Sequence, residues 1–234
     1  MTVFYSACER TAMELQRRAM LGLWGVGLVT TGGCMGLLED VTTHRSTEAT
    51  VASEAHDQAG FEHVRTEELV EEREFAGQTV EVTNFVSEYS RTIGVAGPLA
   101  AETAIFAALT SPQVSVAGRD FNPLDGMSNR DIAEFVQEHY EDFSVDDRIA
   151  ERSVSTLGTE VTVETFSGSA TVVGGQEAPV RPEVGRLEHA GDHVIVLGVY
   201  PDSPGGLSAY DPTGEQARIT TMIEGIQHGS ADSE

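Results

Sequence analysis

Two histidines near the C-terminal end of the chain, His189 and His193, have the residue type and spacing that most directly suggest chemistry. They flank a turn of sequence Ala-Gly-Asp between two stretches that are typical of strands. If the two histidines pair across this hairpin, their Cβ atoms lie about 5 Å apart, which allows both to bind one metal ion. Asp192 or Glu188 is then a candidate third ligand. The simpler interpretation is a pair of solvated histidines, and the rest of the sequence predicts no cofactor.

Short catalytic motifs are absent from the sequence. It contains no nucleophile elbow, no P-loop, no dinucleotide-binding glycine pattern, no zinc-protease helix and no Cys-x-x-Cys pair. We therefore assign no catalytic residue and favour a non-catalytic module that binds a ligand or a partner protein. The alternative is a hydrolase or metal-dependent enzyme that uses carboxylates together with His189 and His193.

The N-terminal segment has the layout of an export signal. Arg17 and Arg18 precede an uncharged run over residues 19–38, whose apolar part is short and rich in glycine. Such a run is typical of a signal peptide, whereas a membrane span needs about 20 strongly apolar residues. The adjacent arginines followed by apolar residues resemble a twin-arginine export signal, which carries proteins that fold before export.

Cys34 ends this run and is the candidate site of lipid attachment. Thr-Gly-Gly-Cys (residues 31–34) resembles a lipobox, in which small residues precede a cysteine whose sulfur takes the lipid, although Thr31 stands where leucine is usual. Residues 1–34 are thus predicted to be a signal peptide with a lipobox, and the lipid to hold the protein at the outer face of the cell membrane. The alternative is an uncleaved anchor helix, which gives the same location. A true start at Met13 is also open, and it would give a signal peptide with a conventional short segment before the apolar run.

Charge is the strongest signal in the composition. The formal net charge is −24, and all 14 basic residues are arginine. A folded domain that repels itself this strongly is stabilised by molar salt, which shortens the screening length to about 3 Å. The acidic excess and the absence of lysine resemble haloarchaeal proteins and predict a halophilic protein. Nucleic acid is not predicted as a partner, because the chain has no basic cluster beyond Arg17-Arg18.

The exported part is long enough for one domain. Residues 35–60 are polar and acidic, and they are predicted to form a flexible tether with a short helix near residues 51–58 that ends at Gly60. Residues 61–229 are predicted to form the domain, and residues 230–234 a polar tail.

Alternating apolar and polar residues in several segments of the domain, together with two helical patterns, predict an α+β fold on a mainly antiparallel sheet with two or three packed helices. The pattern of residues 61–75 suits either a helix or a strand, and we favour a hairpin of this segment with 79–89. The other predicted strands are residues 113–117, 159–166, a return strand 169–173 after a Ser-Gly turn, and the hairpin of 183–189 with 193–200. In the first hairpin, Val80, Val82 and Val86 are expected to share one face. Residues 194–197 are apolar without alternation, which indicates a central strand covered on both faces.

Two helices are well marked in the sequence. Ser128 caps the first, which runs to residue 140. Asp211 caps the second, with Pro212 at its first position and Gly229 at its end. Both are expected to pack on one face of the sheet, through Phe135, Val136, Ile219, Ile223 and Ile226.

Several segments together point to a family. They are the Arg17-Arg18 pair, Cys34, Phe-Ala-Gly-Gln-Thr-Val-Glu-Val-Thr-Asn-Phe-Val-Ser-Glu-Tyr (residues 75–89), Ser-Pro-Gln-Val (111–114) and Phe-Asn-Pro (121–123) ahead of the Ser128 helix. With these the chain resembles an uncharacterised family of haloarchaeal lipoproteins of unknown function, which implies no catalytic motif. The closing residues 194–228 resemble PsbP-like domains, α/β sandwiches with an antiparallel sheet, in fold alone.

Overall fold

The structure is a computed structural model that describes residues 42–75, 78–93, 102–116, 119–120, 124, 126–139, 143–172, 176–202 and 211–229. The described strands are β1 (Thr42–Arg45), β2 (Ala49–Val51), β3 (Glu62–Phe75), β4 (Gln78–Ile93), β5 (Glu102–Pro112), β6 (Ser115–Val116), β7 (Arg119–Asp120), β8 (Phe143–Thr156), β9 (Thr159–Val172), β10 (Gln176–His189), β11 (Asp192–Pro201) and β12 (Ile226–His228). The described helices are α1 (Ser53–Ala59), α2 (Asn129–His139) and α3 (Pro212–Glu224).

One large sheet of eight strands organises the domain. Its order is β1-β4-β5-β11-β10-β9-β8, and β3 pairs along the remaining edge of β4. The strands pair antiparallel except for β1, which runs parallel to β4. β2 with β12, and β6 with β7, form two small sheets. The prediction of an α+β fold on a mainly antiparallel sheet is confirmed.

Two-residue turns connect the long strands of two hairpins, β8 with β9 and β10 with β11. Ala190 and Gly191 join β10 to β11 with φ angles of 51° and 88°, and Leu157 and Gly158 join β8 to β9 with φ angles of 49° and 77°. Positive φ at both positions is characteristic of the type I′ turn, whose twist matches that of the paired strands. These turns fix which residues face each other across each hairpin.

Side chains on the two faces of the sheet form separate apolar cores, and β11 contributes to both. Val194 and Val196 belong to the core of the face that we call the front, and Ile195 belongs to the core of the back face. All three are buried, so the prediction of a central strand covered on both faces is confirmed.

The helices divide between these two faces. α3 packs on the front face through the buried Ile219 and Ile223, whereas α2 packs on the back face through Ile132 and Ala133. The expectation that both helices share one face is therefore wrong. The buried stripe of α2 also differs from the predicted one, because Phe135 is 41% exposed.

Both predicted helix starts are confirmed. The N–H and Oγ–H of Ser128 donate to Oδ2 of Asp131 at 2.7 Å, and the N–H of Asp131 donates back to Ser128 Oγ at 3.2 Å. These hydrogen bonds lower the pKa of the Asp131 carboxyl. At the start of α3, the Asp211 carboxylate accepts from the N–H of Thr213 at 2.9 Å, next to Pro212 at the first position.

The end of α3 differs from the prediction. The helix ends at Glu224, before the expected Gly229. A Cβ atom on Gly225 would lie 2.3 Å from Cβ of Ala55 in α1, so this close approach between the helices requires glycine. The chain then extends, and β12 pairs antiparallel with β2. Ile226 is buried as predicted, but as a strand residue.

One strand prediction was incomplete and another needs correction. The hairpin of β3 and β4 is confirmed, and the buried Val80 shares one face of β4 with the partly buried Val82 and Val86, but Phe85 and Tyr89 on the other face are also buried, which was not predicted. In β9 the expected Ser-Gly turn does not occur, and the strand runs straight through Gly168. A Cβ atom there would lie 2.2 Å from the carbonyl oxygen of Ser144 in β8, so this glycine marks a close approach of two strands.

The predicted tether is folded from residue 42 onward. Residues 42–60 contain β1, β2 and α1, and Ala49, Val51 and Ala59 are buried in the front core. The short helix is confirmed, and Gly60 ends it with a φ of 74°. Residues 1–34 and 230–234 lie outside the described residues, together with Arg17, Arg18 and Cys34. Within the described part, none of the helices has the length and apolar character needed to span a membrane.

Candidate functional site

The structure separates the two histidines that the sequence put together. Because the turn has two residues, His189 pairs with Asp192, and His193 pairs with Glu188. Successive residues of a strand point to opposite faces. His189 therefore lies on the front face with Asp192, and His193 lies on the back face. The expected pairing of His189 with His193 is wrong, and the hairpin does not bring them together as ligands of one metal ion.

His189 instead contacts a histidine from the far end of the chain. Its Nδ1 lies 2.9 Å from Nδ1 of His228 in β12, and Nε2 of His228 lies 3.0 Å from Oδ2 of Asp192. The same Oδ2 accepts the backbone N–H of Thr47 at 2.8 Å. The side chain of His228 is fully buried. We call this arrangement the Asp192–His228–His189 line.

Three elements position the line. The type I′ turn sets His189 beside Asp192 on the front face. Pairing of β12 with β2 places His228 opposite Ala49, next to the segment that contains Thr47. The carbonyl of Gly191 accepts the N–H of Gln113, which joins the turn to the end of β5. The line thus gathers both ends of the described chain at one edge of the fold.

The carboxylate determines where the protons of the line lie. An ionised Asp192 only accepts hydrogen bonds, so Nε2 of His228 must donate. When His228 is neutral, its Nδ1 is an acceptor and His189 must donate from its own Nδ1. The lone pair of His189 then lies on Nε2, for which the described residues offer no hydrogen-bond partner. In chemical terms, the line holds one shared proton and presents one basic nitrogen.

A second polar group, which we call the Glu183 cluster, lies inside the front face beneath α3. Nη1 and Nη2 of Arg152 donate to the two carboxylate oxygens of Glu183, at 2.9 and 2.6 Å. Oε1 also accepts from Thr165 Oγ1 at 3.1 Å, Tyr200 OH at 2.9 Å and Gln216 Nε2 at 3.0 Å. Neither Glu183 nor Tyr200 reaches solvent. The guanidinium of Arg152 and three neutral donors thus compensate the charge of the Glu183 carboxylate.

Burial, followed by the charge of the Glu183 carboxylate, raises the pKa of Tyr200 well above its ordinary value. Tyr200 therefore acts only as a hydrogen-bond donor near neutral pH. Because the cluster joins β8, β9, β10, β11 and α3 through satisfied contacts, we assign it to stability.

Neither group could be predicted as a unit from the sequence, although one signal of the line is present there. His228 was placed in a helix expected to continue to Gly229. Gly225 followed by Ile-Gln-His has the period of a short strand and marks the true boundary. Within the described residues, no set of three or more His, Cys, Asp and Glu side chains has a geometry that holds a metal ion.

Comparison with known families identifies the family of the domain. A family model described as Domain of unknown function (DUF6517) matches residues 48–227. The chain belongs to this family. The matched DUF6517 region begins within the segment that precedes β2 and ends inside β12, so it includes α1 and the contact between β2 and β12. No curated protein matches the chain.

Proposed function

We propose that this DUF6517 protein is an extracytoplasmic lipoprotein of a salt-adapted cell, anchored by a lipid on Cys34, and that its domain is a non-catalytic module for a ligand or partner protein. The proposal of a binding module rests on one observation, which is that the described arginine side chains are already paired within the domain. Each arginine side chain that the structure describes contacts a carboxylate or a backbone carbonyl of the domain. These arginines are Arg45, Arg65, Arg91, Arg130, Arg148, Arg152, Arg181, Arg186 and Arg218.

Several of these contacts use both arms of the guanidinium. Arg45 binds both oxygens of Glu68, and Arg152 binds both oxygens of Glu183. A phosphate group would have to displace a carboxylate from such a pair. The excess charge consists of carboxylates, which hold water and cations. This surface therefore suits a neutral or basic partner and disfavours nucleic acid, which is recognised through free Arg and Lys.

The folded region begins close to Cys34, which limits how far a domain anchored there could lie from the membrane. Seven residues, 35–41, lie between Cys34 and β1. Covalent geometry limits a connection of this length to roughly 28 Å even when fully extended. A lipid on Cys34 would hold the domain close to the membrane surface, nearer than a tether reaching residue 60 would allow.

The alternative of an enzyme that uses His189 together with His193 has less support. A hydrolase that uses His189 together with His193 requires the two rings to converge, and β10 and β11 place them on opposite faces of the sheet. The likeness to PsbP-like domains remains a proposal about fold, supported by helices on both faces of the antiparallel sheet.

The native membrane provides the test. Mass spectrometry of the full chain expressed in a halophilic host should find a mature N-terminus at Cys34 with added lipid mass. Cys34→Ser should release the domain or block its processing, and Cys8→Ser, as the matched control, should leave membrane attachment unchanged. A Cys34→Ser protein that stays in the membrane with its signal attached would instead support the uncleaved anchor. Hydrolytic activity of the membrane-bound protein that His189→Asn abolishes would overturn the non-catalytic part.

A further inference from the structure

The Asp192–His228–His189 line joins parts of the chain that are distant in sequence. Asp192 and His189 belong to the central hairpin, His228 to the last described strand, and Thr47 to the segment by which the chain enters the domain. Since β12 and β2 pair with each other, these contacts hold both ends of the domain against the hairpin turn. Any event that breaks the line therefore loosens both ends together.

The contact between the two histidines depends on the number of protons. One proton between the two Nδ1 atoms makes a hydrogen bond, whichever ring carries it. When both rings are imidazolium, both Nδ1 atoms carry a proton and neither can accept. Two N–H groups then face each other across 2.9 Å, and two like charges lie side by side. The folded arrangement therefore accommodates one proton more than the neutral pair, and no second one.

We propose that the Asp192–His228–His189 line is a proton-operated latch that holds the ends of the domain on the central hairpin at neutral pH and opens when both histidines are protonated. Opening separates His228 from His189 and weakens the attachment of β12, β2 and the segment around Thr47, although Ala49, Val51 and Ile226 still pack in the front core. The central sheet keeps its own pairing, because β10 and β11 are held by their neighbours β9 and β5.

The groups around the pair support this assignment. On the front face, the Asp192 carboxylate contacts His228 and balances one positive charge. Glu48, which follows Thr47, is exposed, and Leu187 contributes no charge. On the back face, Glu188 and His193 pair with each other across the sheet from the line. Asp192 thus compensates the first added proton, and the described residues bring no second carboxylate into contact with the pair.

The sign of the pH dependence follows from counting protons. Two imidazoles that no longer face each other can both be protonated, while the closed pair accommodates one added proton. The open state thus binds more protons, so acid favours it and closure recovers as pH rises. A difference of one proton changes the opening equilibrium about tenfold for each pH unit.

Hydrogen exchange of the full chain in concentrated KCl, read by mass spectrometry on peptides covering residues 46–51 and 225–229, tests the latch. Between about pH 7.5 and about pH 5.5, above the ordinary range of carboxyl titration, these peptides should lose about tenfold in protection after correction for intrinsic rates. Peptides of β9 should not change. In His189→Asn the amide can still donate to His228, but the second cation is gone, so the loss should disappear. His63→Asn, which removes an exposed histidine on β3, should behave as the unaltered protein does.

Imidazole ¹⁵N spectra of the unaltered protein provide a measurement that needs no variant. At about pH 7.5, where imidazole is ordinarily neutral, His228 should carry its proton on Nε2 and His189 on Nδ1. The opposite tautomer of His228 would overturn the latch. So would equal protection at both pH values, or an equal loss in the unaltered protein and in His189→Asn.

Discussion

The Glu183 cluster and the Asp192–His228–His189 line both place a carboxylate beneath the front face, but they give it different partners. Glu183 meets a guanidinium, which keeps its charge at any pH that a folded protein tolerates, and three further donors. Asp192 meets one backbone N–H and an imidazole. The first arrangement has one protonation state near neutrality, whereas the second has several.

This difference separates a structural group from a responsive one. A carboxylate that is fully compensated by a permanent cation fixes how α3 lies on the sheet, and its contacts stay the same when the pH changes near neutrality. A line of one carboxylate and two imidazoles keeps its hydrogen bonds when it gains one proton and loses the contact between the two rings when it gains a second. Buried charge by itself therefore does not identify a functional site. Whether a buried carboxylate responds to pH depends on whether its partner titrates near neutral pH.

The largest expected effect is that of salt, which distinguishes the surface from both buried groups. The chain carries a net charge of −24, and its exposed carboxylates repel one another over about 10 Å at 0.1 M salt but only about 3 Å at 1 M. The melting temperature should therefore climb steadily as KCl rises from about 0.1 to about 3 M.

Part of that gain would come from salting-out of apolar surface, so sulfate and chloride need comparison at matched ionic strength. An unchanged melting temperature across the chloride series would contradict the halophilic interpretation. The acidic surface would then need another cause, such as a basic partner.

The next effect concerns the Glu183 cluster. Arg152→Met removes the cation and leaves Glu183 buried with neutral donors only, which should cost about 3–5 kcal/mol of unfolding free energy. Denaturant unfolding in concentrated KCl measures this loss. Arg148→Met is the matched control on the same strand, because Arg148 is half exposed and pairs with Glu164 at the surface. It should cost less than about 1 kcal/mol. Similar losses for the two variants would show that Glu183 does not depend on its cation.

How much of this could be predicted depended on how local each signal was. The hairpin of β10 and β11 followed from alternation around a small-residue turn, and the caps at Ser128 and Asp211 followed from adjacent residues. The pairing register of this hairpin could not be predicted in the same way, because a turn of two residues instead of three moves every side chain of one strand to the other face. That single step separated His189 from His193.

The remaining features depend on contacts between distant parts of the chain. Glu183 meets Arg152 and Gln216 only in the folded sheet, and neither spacing has a local pattern. Residues 42–60 resemble a tether because the acidic composition hides the few apolar positions that dock. The end of α3 was missed because the need for Gly225 comes from Ala55 in α1, which sequence alone does not place beside it.

The smallest expected effect is the loss of one donor from the Glu183 cluster. Tyr200→Phe removes the hydroxyl that donates to Oε1 at 2.9 Å, and it leaves the ring in place. Hydrogen bonds to charged groups contribute about 1.5–3 kcal/mol, so the variant should lose that amount of unfolding free energy at neutral pH. Tyr89→Phe is the matched control, since the Tyr89 hydroxyl accepts the N–H of Val51 and contacts no carboxylate among the residues that the structure describes. Its loss should be smaller.

Alkaline pH makes this last test sharper. The pKa of Tyr200 is raised in the folded state, first by burial and then by Glu183, while an unfolded tyrosine releases its proton near pH 10. Above about pH 10 the folded state thus holds a proton that the unfolded state has lost. The contribution of Tyr200 is present below that pH and falls by up to about 1.4 kcal/mol for each pH unit above it. The chain has no lysine to titrate in the same range. Stability should therefore fall less steeply above pH 10 in Tyr200→Phe than in the unaltered protein, and equal slopes would mean that Tyr200 ionises freely within the fold.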